Sequence, residues 1–403
     1  MVLVVGDILL TYAWVRSSYA ALRNLHSHGL EVVAADSYPF GMCQWSRLKK
    51  DFVRYPSHYD GEDEFVETIA RLCDKYAIRL LMPSHNETEI LARNRRRLPE
   101  KACAILPEAE HCELFNNKAR SYELAQSVGL PLPGRVSYSA PGEVSVAVTK
   151  AGLRRVVVKL LTGNSAKGIF YADTPEQAEE IVRRLIKEYS LPVERYPQIE
   201  ERIYGEGWGC SALYWHGEPI SLFCHRRLRE KIATGGTSTL RESARNDRLR
   251  EMTQTLLGKI GWHGLAMVEY KVCPDTGKIW FIEVNPRLWG SLPLAISAGA
   301  EFPYLAWLCA TEGPGAARRY QENAIIRYPW RGRWLMGDLM IAATQCAHLK
   351  PLQAWRTVFS GNCDAIDDLH LDDPFAFLGE VFHYGSRFLV NMSNNPAEKG
   401  MVG

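Results

Sequence analysis

Apolar positions in the first third of the chain come in short runs separated by helical patterns. Val2-Leu3-Val4-Val5 is one run, a helical stretch ending near Gly29 follows, and Glu31-Val32-Val33-Ala34-Ala35-Asp36 is the next. This β-α-β order predicts the start of a parallel sheet. Phe65, Ile69, Leu72, Cys73 and Tyr76 then recur at helical spacing, and Arg79-Leu80-Leu81-Met82-Pro83 reads as another buried strand, so the unit repeats. Leu130-Pro131-Leu132-Pro133-Gly134, with the Ser, Gly and Pro residues up to Gly142, marks a passage between lobes.

Past this point the pattern changes. Val156 to Leu161 predicts a strand, Gly163 to Gly168 a loop, and Ile169-Phe170-Tyr171 a second strand. Thr174-Pro175-Glu176-Gln177 has the spacing of a capping box with proline at the first helical position. Gln198 to Gly205 and the alternating segments up to Phe223 predict a small α+β lid followed by a largely antiparallel sheet. Gly264 to Tyr270 and Lys278 to Val284 flank the turn Pro274-Asp275-Thr276-Gly277 and predict a hairpin. Beyond about Tyr320 the chain is Trp-rich and mixed, and it ends in a polar tail expected to fray. No internal repeat or low-complexity block is present.

Composition narrows the partners. With 48 basic and 46 acidic residues among 403, the formal charge is +2, too small for a global field that would hold nucleic acid or an anionic membrane. The 10 cysteines are scattered, without a Cys-x-x-Cys pair or a disulfide rhythm, so reduced thiols in a cytoplasmic protein are expected. Gly6-Asp7 interrupts the apolar start before it reaches signal-peptide length, and no stretch approaches the ~20 apolar residues of a membrane span, so a soluble protein is expected. The expected partners are small molecules.

The hairpin carries the first candidate chemistry. Glu269 stands on one strand and Glu283 and Asn285 on the other, the latter two sharing a face because they are two apart. Such an oxygen set suits a hard cation completed by waters and phosphates, although an isolated Glu-x-Asn also reads as an ordinary solvated strand face. Arg287 follows, where a cation meets a transferring phosphoryl group or an oxyanion. Lys159 ends an apolar β-branched strand, which is costly unless its ammonium reaches solvent or an anion. The small-residue loop Thr162-Gly163-Asn164-Ser165-Ala166-Lys167-Gly168 lets backbone N–H groups approach phosphates. Glu200-Glu201-Arg202-Ile203 reads either as a hinge able to pair with an adenine edge or as a polar edge strand.

In this order the elements resemble the ATP-grasp superfamily, which includes carbamoyl-phosphate synthetase, biotin carboxylase and the D-alanine ligases, and the resemblance covers nearly the whole chain. It implies an α/β fold with a Rossmann-like parallel N-terminal lobe (1–115), a small lid domain (116–204), a mainly antiparallel catalytic domain (205–320) and a C-terminal extension (321–403). It implies ATP-binding roles for Lys118, Lys159, Gly163, Ser165, Gly168, Glu200, Glu201, Ile203 and Glu206. Glu269, Glu283 and Asn285 match the metal ligands, for Mg²⁺ or Mn²⁺ as a substitute. Arg287, in Asn285-Pro286-Arg287, matches the residue that steadies the transferred phosphoryl or the tetrahedral intermediate, acting with Lys159. The implied reaction turns a small carboxylic acid, such as an amino acid, into an acyl phosphate that an amine attacks, releasing ADP and phosphate. A closing lid would shield that intermediate from water. Relatives in this superfamily are often homodimers.

Substrate residues are less legible. Cys224-His225-Arg226-Arg227-Leu228-Arg229-Glu230-Lys231 precedes Thr234-Gly235-Gly236-Thr237, and Arg226, Arg229, Gly235 and Gly236 are candidates for holding an anion. Trp289-Gly290-Ser291 opens a predicted helix whose N–H groups suit a carboxylate, with Trp289 equally suited to the core. His263 reads as structural. Arg16-Ser17-Ser18 and Ser84-His85-Asn86-Glu87 follow strands where open α/β sheets bind ligands. A dinucleotide-dependent dehydrogenase is disfavoured because Gly6-Asp7-Ile8-Leu9-Leu10-Thr11 lacks G-x-G-x-x-G. A biotin-dependent carboxylase lacks a Met-Lys-Met carrier sequence, and a full carbamoyl-phosphate synthetase needs two modules. The alternative from another class is a non-catalytic, ATP-binding regulatory protein.

Overall fold

Ile8, Leu9 and Leu10 have no exposed surface and form the first strand, β1 (Ile8–Leu10), paired in parallel with Val32–Ala34 on one side and Leu80–Met82 on the other. A strand flanked on both edges and buried on both faces reads as a continuous apolar run. The segment Gly6 to Thr11, which lacks G-x-G-x-x-G, thus holds a strand, and Val2 to Val5 lie outside the described residues. The structure, a computed structural model, describes residues 6–161, 168–231, 237–359 and 361–391.

From β1 the chain runs through α1 (Arg16–Ser27), β2 (Val32–Asp36), α2 (Met42–Trp45), β3 (Asp51–Arg54), α3 (Glu62–Lys75), β4 (Leu80–Met82) and α4 (Glu87–Arg93). The strands form a parallel sheet of order β3-β2-β1-β4. Helix α3 buries Phe65, Val66, Ile69 and Leu72 on one stripe, with Glu62, Asp63 and Glu64 in its first turn and Lys75 in its last, matching the helix dipole. Gly29, at φ 76°, supplies the left-handed residue after α1.

Next come α5 (Ala109–Asn116), α6 (Lys118–Ser127), β5 (Arg135–Val136), α7 (Val144–Lys150), β6 (Val156–Lys159), β7 (Ile169–Ala172), α8 (Pro175–Tyr189) and β8 (Gln198–Glu201). The four strands form an antiparallel sheet of order β5-β8-β6-β7, so β8 is an inner strand and not a polar edge. Val144, Val148, Val156, Val158, Val182, Leu185 and Ile199 close its core. Thr174 caps α8 by accepting from the Gln177 N–H, while the Gln177 side chain accepts from Asp173 N–H, one residue earlier than a strict capping box.

The remainder comprises β9 (Glu206–Trp215), β10 (Glu218–Glu230), β11 (Ser238–Ser243), α9 (Asp247–Lys259), β12 (Gly264–Val272), β13 (Ile279–Asn285), α10 (Leu292–Ala298), α11 (Phe302–Glu312), α12 (Pro314–Asn323), β14 (Arg331–Arg333), α13 (Leu335–Ala347), α14 (Pro351–Phe359), β15 (Ala365–Ile366) and α15 (Pro374–Asn391). Its sheet has the order β13-β12-β9-β10-β11-β14-β15, antiparallel at β10/β11 and β11/β14 and parallel at β14/β15. The chain divides into two compact units. One takes residues 1–112, 209–268 and 285–396, and the other takes 113–208 and 269–284 with 397–403. The first is built on clusters that include Tyr19, Leu22, Phe223, Trp289, Phe302 and Trp307 on one side of the parallel sheet and Phe65, Ile69 and Tyr76 on the other. None of the 10 cysteines forms a disulfide. Among the described residues no single helix is long and apolar enough to cross a membrane.

Candidate functional site

Lys159 closes β6 after three buried valines and is itself buried. Its ammonium lies 2.6 Å from Glu200 and donates at 3.4 Å to the Tyr122 hydroxyl. Tyr122 in turn donates to Glu200 at 3.0 Å, and the Gln198 amide donates to the other Glu200 oxygen at 2.6 Å. The β6/β8 register sets Lys159 opposite Gln198 and Val157 opposite Glu200, and residues two apart share a face, so all three polar side chains converge. Burial and the Glu200 charge push the Tyr122 phenol well above its usual range, which keeps it a donor.

Lys118 opens α6 directly after Asn117, whose side chain caps the helix by accepting from the Ala119 and Arg120 N–H groups. Burial lowers the Lys118 pKa. Glu283 opposes that shift, Lys159 adds to it, and Glu200 opposes it again. Lys118, Lys159, Glu200 and Glu283 thus belong to one electrostatic cluster within one compact unit. Glu200 and Glu283 offset the two ammonium charges, so a phosphate bound here would compete with these carboxylates for the lysines.

Glu201 ties β8 to β5, giving its N–H to the Gly134 carbonyl at 2.7 Å and accepting from the Gly134 N–H at 3.3 Å. The Ile203 carbonyl accepts from Lys271 at 3.3 Å, and Glu206 begins β9 half-buried. Gly168 has φ 78°, and an added Cβ would sit 3.1 Å from Leu160. Gly163 and Ser165 lie outside the described residues.

The predicted hairpin is present as β12 and β13, with Gly277 in its turn at φ 67°. Glu269, Glu283 and Asn285 are half-buried, and the Asn285 amide oxygen accepts from Arg287 at 3.1 Å. Arg287 also donates to the Leu288 carbonyl at 3.1 Å. Among the described residues no three His, Cys, Asp or Glu side chains gather as a metal cage. Two carboxylates and an amide fit a cation that draws its remaining ligands from water and phosphate.

The other unit holds the remaining candidates in a recurrent arrangement, one carboxylate between two guanidinium groups. Glu242 pairs with Arg226 and Arg331, each at 2.7 Å. Asp338 pairs with Arg229 at 2.9 Å and Arg333 at 2.6 Å. Asp367 pairs with Arg16 at 3.3 Å and, still more closely, with Arg241. The strand register explains the first set, since Glu242 of β11 faces Arg226 of β10 on one side and Arg331 of β14 on the other. Trp289 is buried against Phe302 and belongs to the core. The N–H groups that follow Trp289-Gly290-Ser291 at the start of the helix are used within the chain. In the seven-residue α10, Leu292 N–H goes to the Trp289 carbonyl, Pro293 has none, and Leu294 N–H goes to the Ser291 carbonyl. Gly290 presents its carbonyl instead, to Arg16 at 2.7 Å and Arg241 at 3.3 Å. Gly235 and Gly236 lie outside the described residues. His263 is held structurally, accepting from His216 N–H and meeting the Ala104 carbonyl. Glu87 is bound by Thr11 and Tyr55.

Tyr122 and Gln198 were not singled out by the sequence reading, although the signal existed. Tyr122 is four residues after Lys118 on a helix, and Gln198 is two before Glu200 on a strand. Asp338 and Asp367 carry no comparable local signal.

Comparison with known proteins follows this geometry. Residues 219–302 match the family described as carbamoyl-phosphate synthase L chain, ATP binding domain. A biotin carboxylase complex with beta-gamma-ATP from Campylobacter jejuni superposes with a TM-score of 0.62 at 14% identity, covering 81% of this chain and 74% of that one. The L-amino acid ligase of Bacillus licheniformis gives 0.55 at 16% identity over 76% of this chain and 74% of its own. The fold is the ATP-grasp fold. A putative urea carboxylase of Emericella nidulans is 25% identical over 198 residues, 45% of this chain, but the match spans only 16% of that longer protein. In this ATP-grasp chain Glu269, Glu283, Asn285, Arg287 and the Arg226 and Arg229 pair fall inside the matched stretch, whereas Lys118, Lys159 and Glu200 precede it.

Proposed function

We propose that the protein is an ADP-forming ligase that phosphorylates a small carboxylic acid with ATP and lets an amine displace the phosphate, giving an amide. The observation that carries this reading is the cluster of buried Lys118, Lys159 and Glu200 with half-buried Glu283, two cations and two carboxylates of the kinds that nucleotide and metal binding would use. Lys118 and Lys159 bind the phosphates, and Glu200 with Tyr122 and Gln198 holds Lys159 in place until a nucleotide competes for it. Glu201, Ile203 and Glu206 border the base and ribose. Glu269, Glu283 and Asn285 would hold Mg²⁺, which supplies charge neutralisation for the phosphoryl oxygens when bound. Arg287 steadies the oxyanion formed as the amine attacks. A carboxylate is a poor electrophile and its acyl phosphate a good one, so this sequence of steps accounts for ATP use.

A second reading, with bicarbonate as the acid and carboxylation of an amine as the outcome, is favoured by the match to a urea carboxylase. One experiment separates them. Purified protein with Mg-ATP is supplied with pooled amino acids and small carboxylates, or with bicarbonate and pooled amines, while ADP, phosphate and product mass are followed. ADP with a product one water lighter than its substrates supports the ligase, and ADP that requires bicarbonate supports carboxylation. AMP with pyrophosphate overturns both, and ADP-free binding of ATP points to a regulatory role.

A further inference from the structure

Helix α15 (Pro374–Asn391) has an inner face that the fold uses and an outer face that it does not. On the inner face Ala376 has no exposed surface, and Gly379 lies so close to Gly41 that a Cβ would overlap the Gly41 carbonyl. Glu380 accepts from the Trp334 indole, His383 stacks on Trp14 with ring centroids 3.9 Å apart, and Arg387 lies over the Tyr38 ring. The glutamate, histidine and arginine of the helix are thus all engaged with its own fold.

Among the described residues of α15, every exposed one is apolar, with Phe375, Leu378, Val381, Phe382, Phe388 and Leu389 the large ones. At about 100° per residue these six fall on one arc of about 140°, comparable to the stripe that a globular helix turns inward, yet here it faces out. Phe382 carries the patch across to α2, its ring 5.0 Å from that of Trp45 and 6.5 Å from that of the exposed Phe40. These side chains are each between 37% and 77% exposed, and with Phe40 they offer on the order of 600 Å² of apolar surface. That is the upper end for the largest patch on a monomer. It approaches the about 800 Å² that each side of a stable interface buries, before backbone and rim are added.

Gly385 stands near the middle of the arc, with Val381 and Phe382 one turn before it and Phe388 and Leu389 one turn after. Its φ is not left-handed, and a Cβ there would meet no described atom within 4 Å. Gly379 is required by the close approach of Gly41, but nothing described in the chain requires Gly385, and glycine is a poor helix former at such a position. A glycine flanked by bulky residues lets the backbone of a second helix come close.

We propose that the outer face of α15 binds the same face of a second copy of this chain, the two helices crossing antiparallel at Gly385. A two-fold axis through the crossing sets Val381 and Phe382 of each copy against Phe388 and Leu389 of the other and closes the assembly at two. The arc carries no charge to select a different protein, and a net charge of +2 gives an anionic membrane little hold.

Sedimentation velocity on the purified chain tests this. The native chain is expected to be a dimer with a dissociation constant of about 1 µM or below. Leu389→Glu puts a charge into the arc and is expected to raise that constant by about a hundredfold or more. Gly385→Leu adds apolar surface and favours the helix, so general stickiness would tighten the dimer, whereas a close crossing predicts weakening by about tenfold or more. Both side chains lie on the exposed face, so each variant should keep the native circular dichroism. A native chain that is monomeric at about 100 µM overturns the proposal, and its flotation with phosphatidylcholine vesicles would then assign the face to a membrane. A dimer that survives Leu389→Glu, or that Gly385→Leu tightens, overturns it too, the first by placing the interface elsewhere and the second by denying the close crossing.

Discussion

The ammonium of Lys159 sits 2.6 Å from the Glu200 carboxylate, and both side chains are buried. Removing one member of such a pair strands the other. Lys159→Met is expected to cost about 3 kcal/mol, at the lower end of the usual range because Tyr122 and Gln198 still donate to Glu200. The double variant Lys159→Met/Glu200→Gln should recover most of that loss. Urea unfolding of the native, single and double forms measures this, and equal stability of native and Lys159→Met would mean that the pair contributes nothing.

Glu283→Gln keeps the shape of β13 and removes one negative charge beside Lys118. ADP release is expected to fall by about a hundredfold or more, the scale of losing a group that stabilises transition-state charge. The far-ultraviolet circular dichroism should stay unchanged. Near-normal turnover would remove Glu283 from the metal set.

Burial holds the folded Lys118 pKa below that of the unfolded chain. Between the lowered folded value and the ordinary lysine value the unfolded state binds more protons, so this residue makes stability rise with pH across that window. Below the window Lys118 is charged in both states and is a constant cost. Lys118→Met should therefore raise the unfolding temperature at neutral pH, with the gain shrinking as pH approaches 10. The stabilisation that ATP gives the native protein should vanish in the same variant.

Three buried histidines and the half-buried His58 have depressed folded values, His225 to about 3 and His58, His263 and His383 each to about 4. Desolvation is the first cause in each. They are neutral in the fold and protonate in the unfolded chain near pH 6.5, so stability is full above that pH and falls as pH drops towards 4. Each contributes a slope of up to about 1.4 kcal/mol per pH unit. Thermal unfolding between pH 7.5 and 4.5 checks this. His225→Gln should flatten the curve, and a flat native profile would contradict the assignment.

Gly264 begins β12 at φ 92°, and a Cβ there would lie 2.5 Å from the Ile105 carbonyl oxygen. Gly264→Ala is expected to destabilise by about 2 kcal/mol or more, since both the backbone and the neighbouring carbonyl must shift. Guanidinium unfolding would read the loss directly.

Periodicity made the larger elements legible. The α3 stripe, the valines of β6 and the turn glycine between β12 and β13 each follow from local spacing. The strand Ile8 to Leu10 was not singled out because a buried parallel strand has no alternation to mark it. Lys159 stood out because a lysine ending an apolar strand needs an explanation. Asp338 and Asp367 did not, because Arg229, Arg16 and Arg241 come from strands and helices far away in sequence, and Arg333, five residues before Asp338, stands on a strand while Asp338 stands on a helix, so no helical or strand spacing encodes the meeting.

The carboxylates Glu242, Asp338 and Asp367 each stand between two arginines and screen one from the other. If one of them drifts to a neutral residue, two like charges are left facing each other, and restoring either arginine's environment needs a change at a second position. Substitutions at these sites are therefore expected to accumulate in pairs across related sequences, an aspartate or glutamate disappearing only where one of its arginines has gone as well.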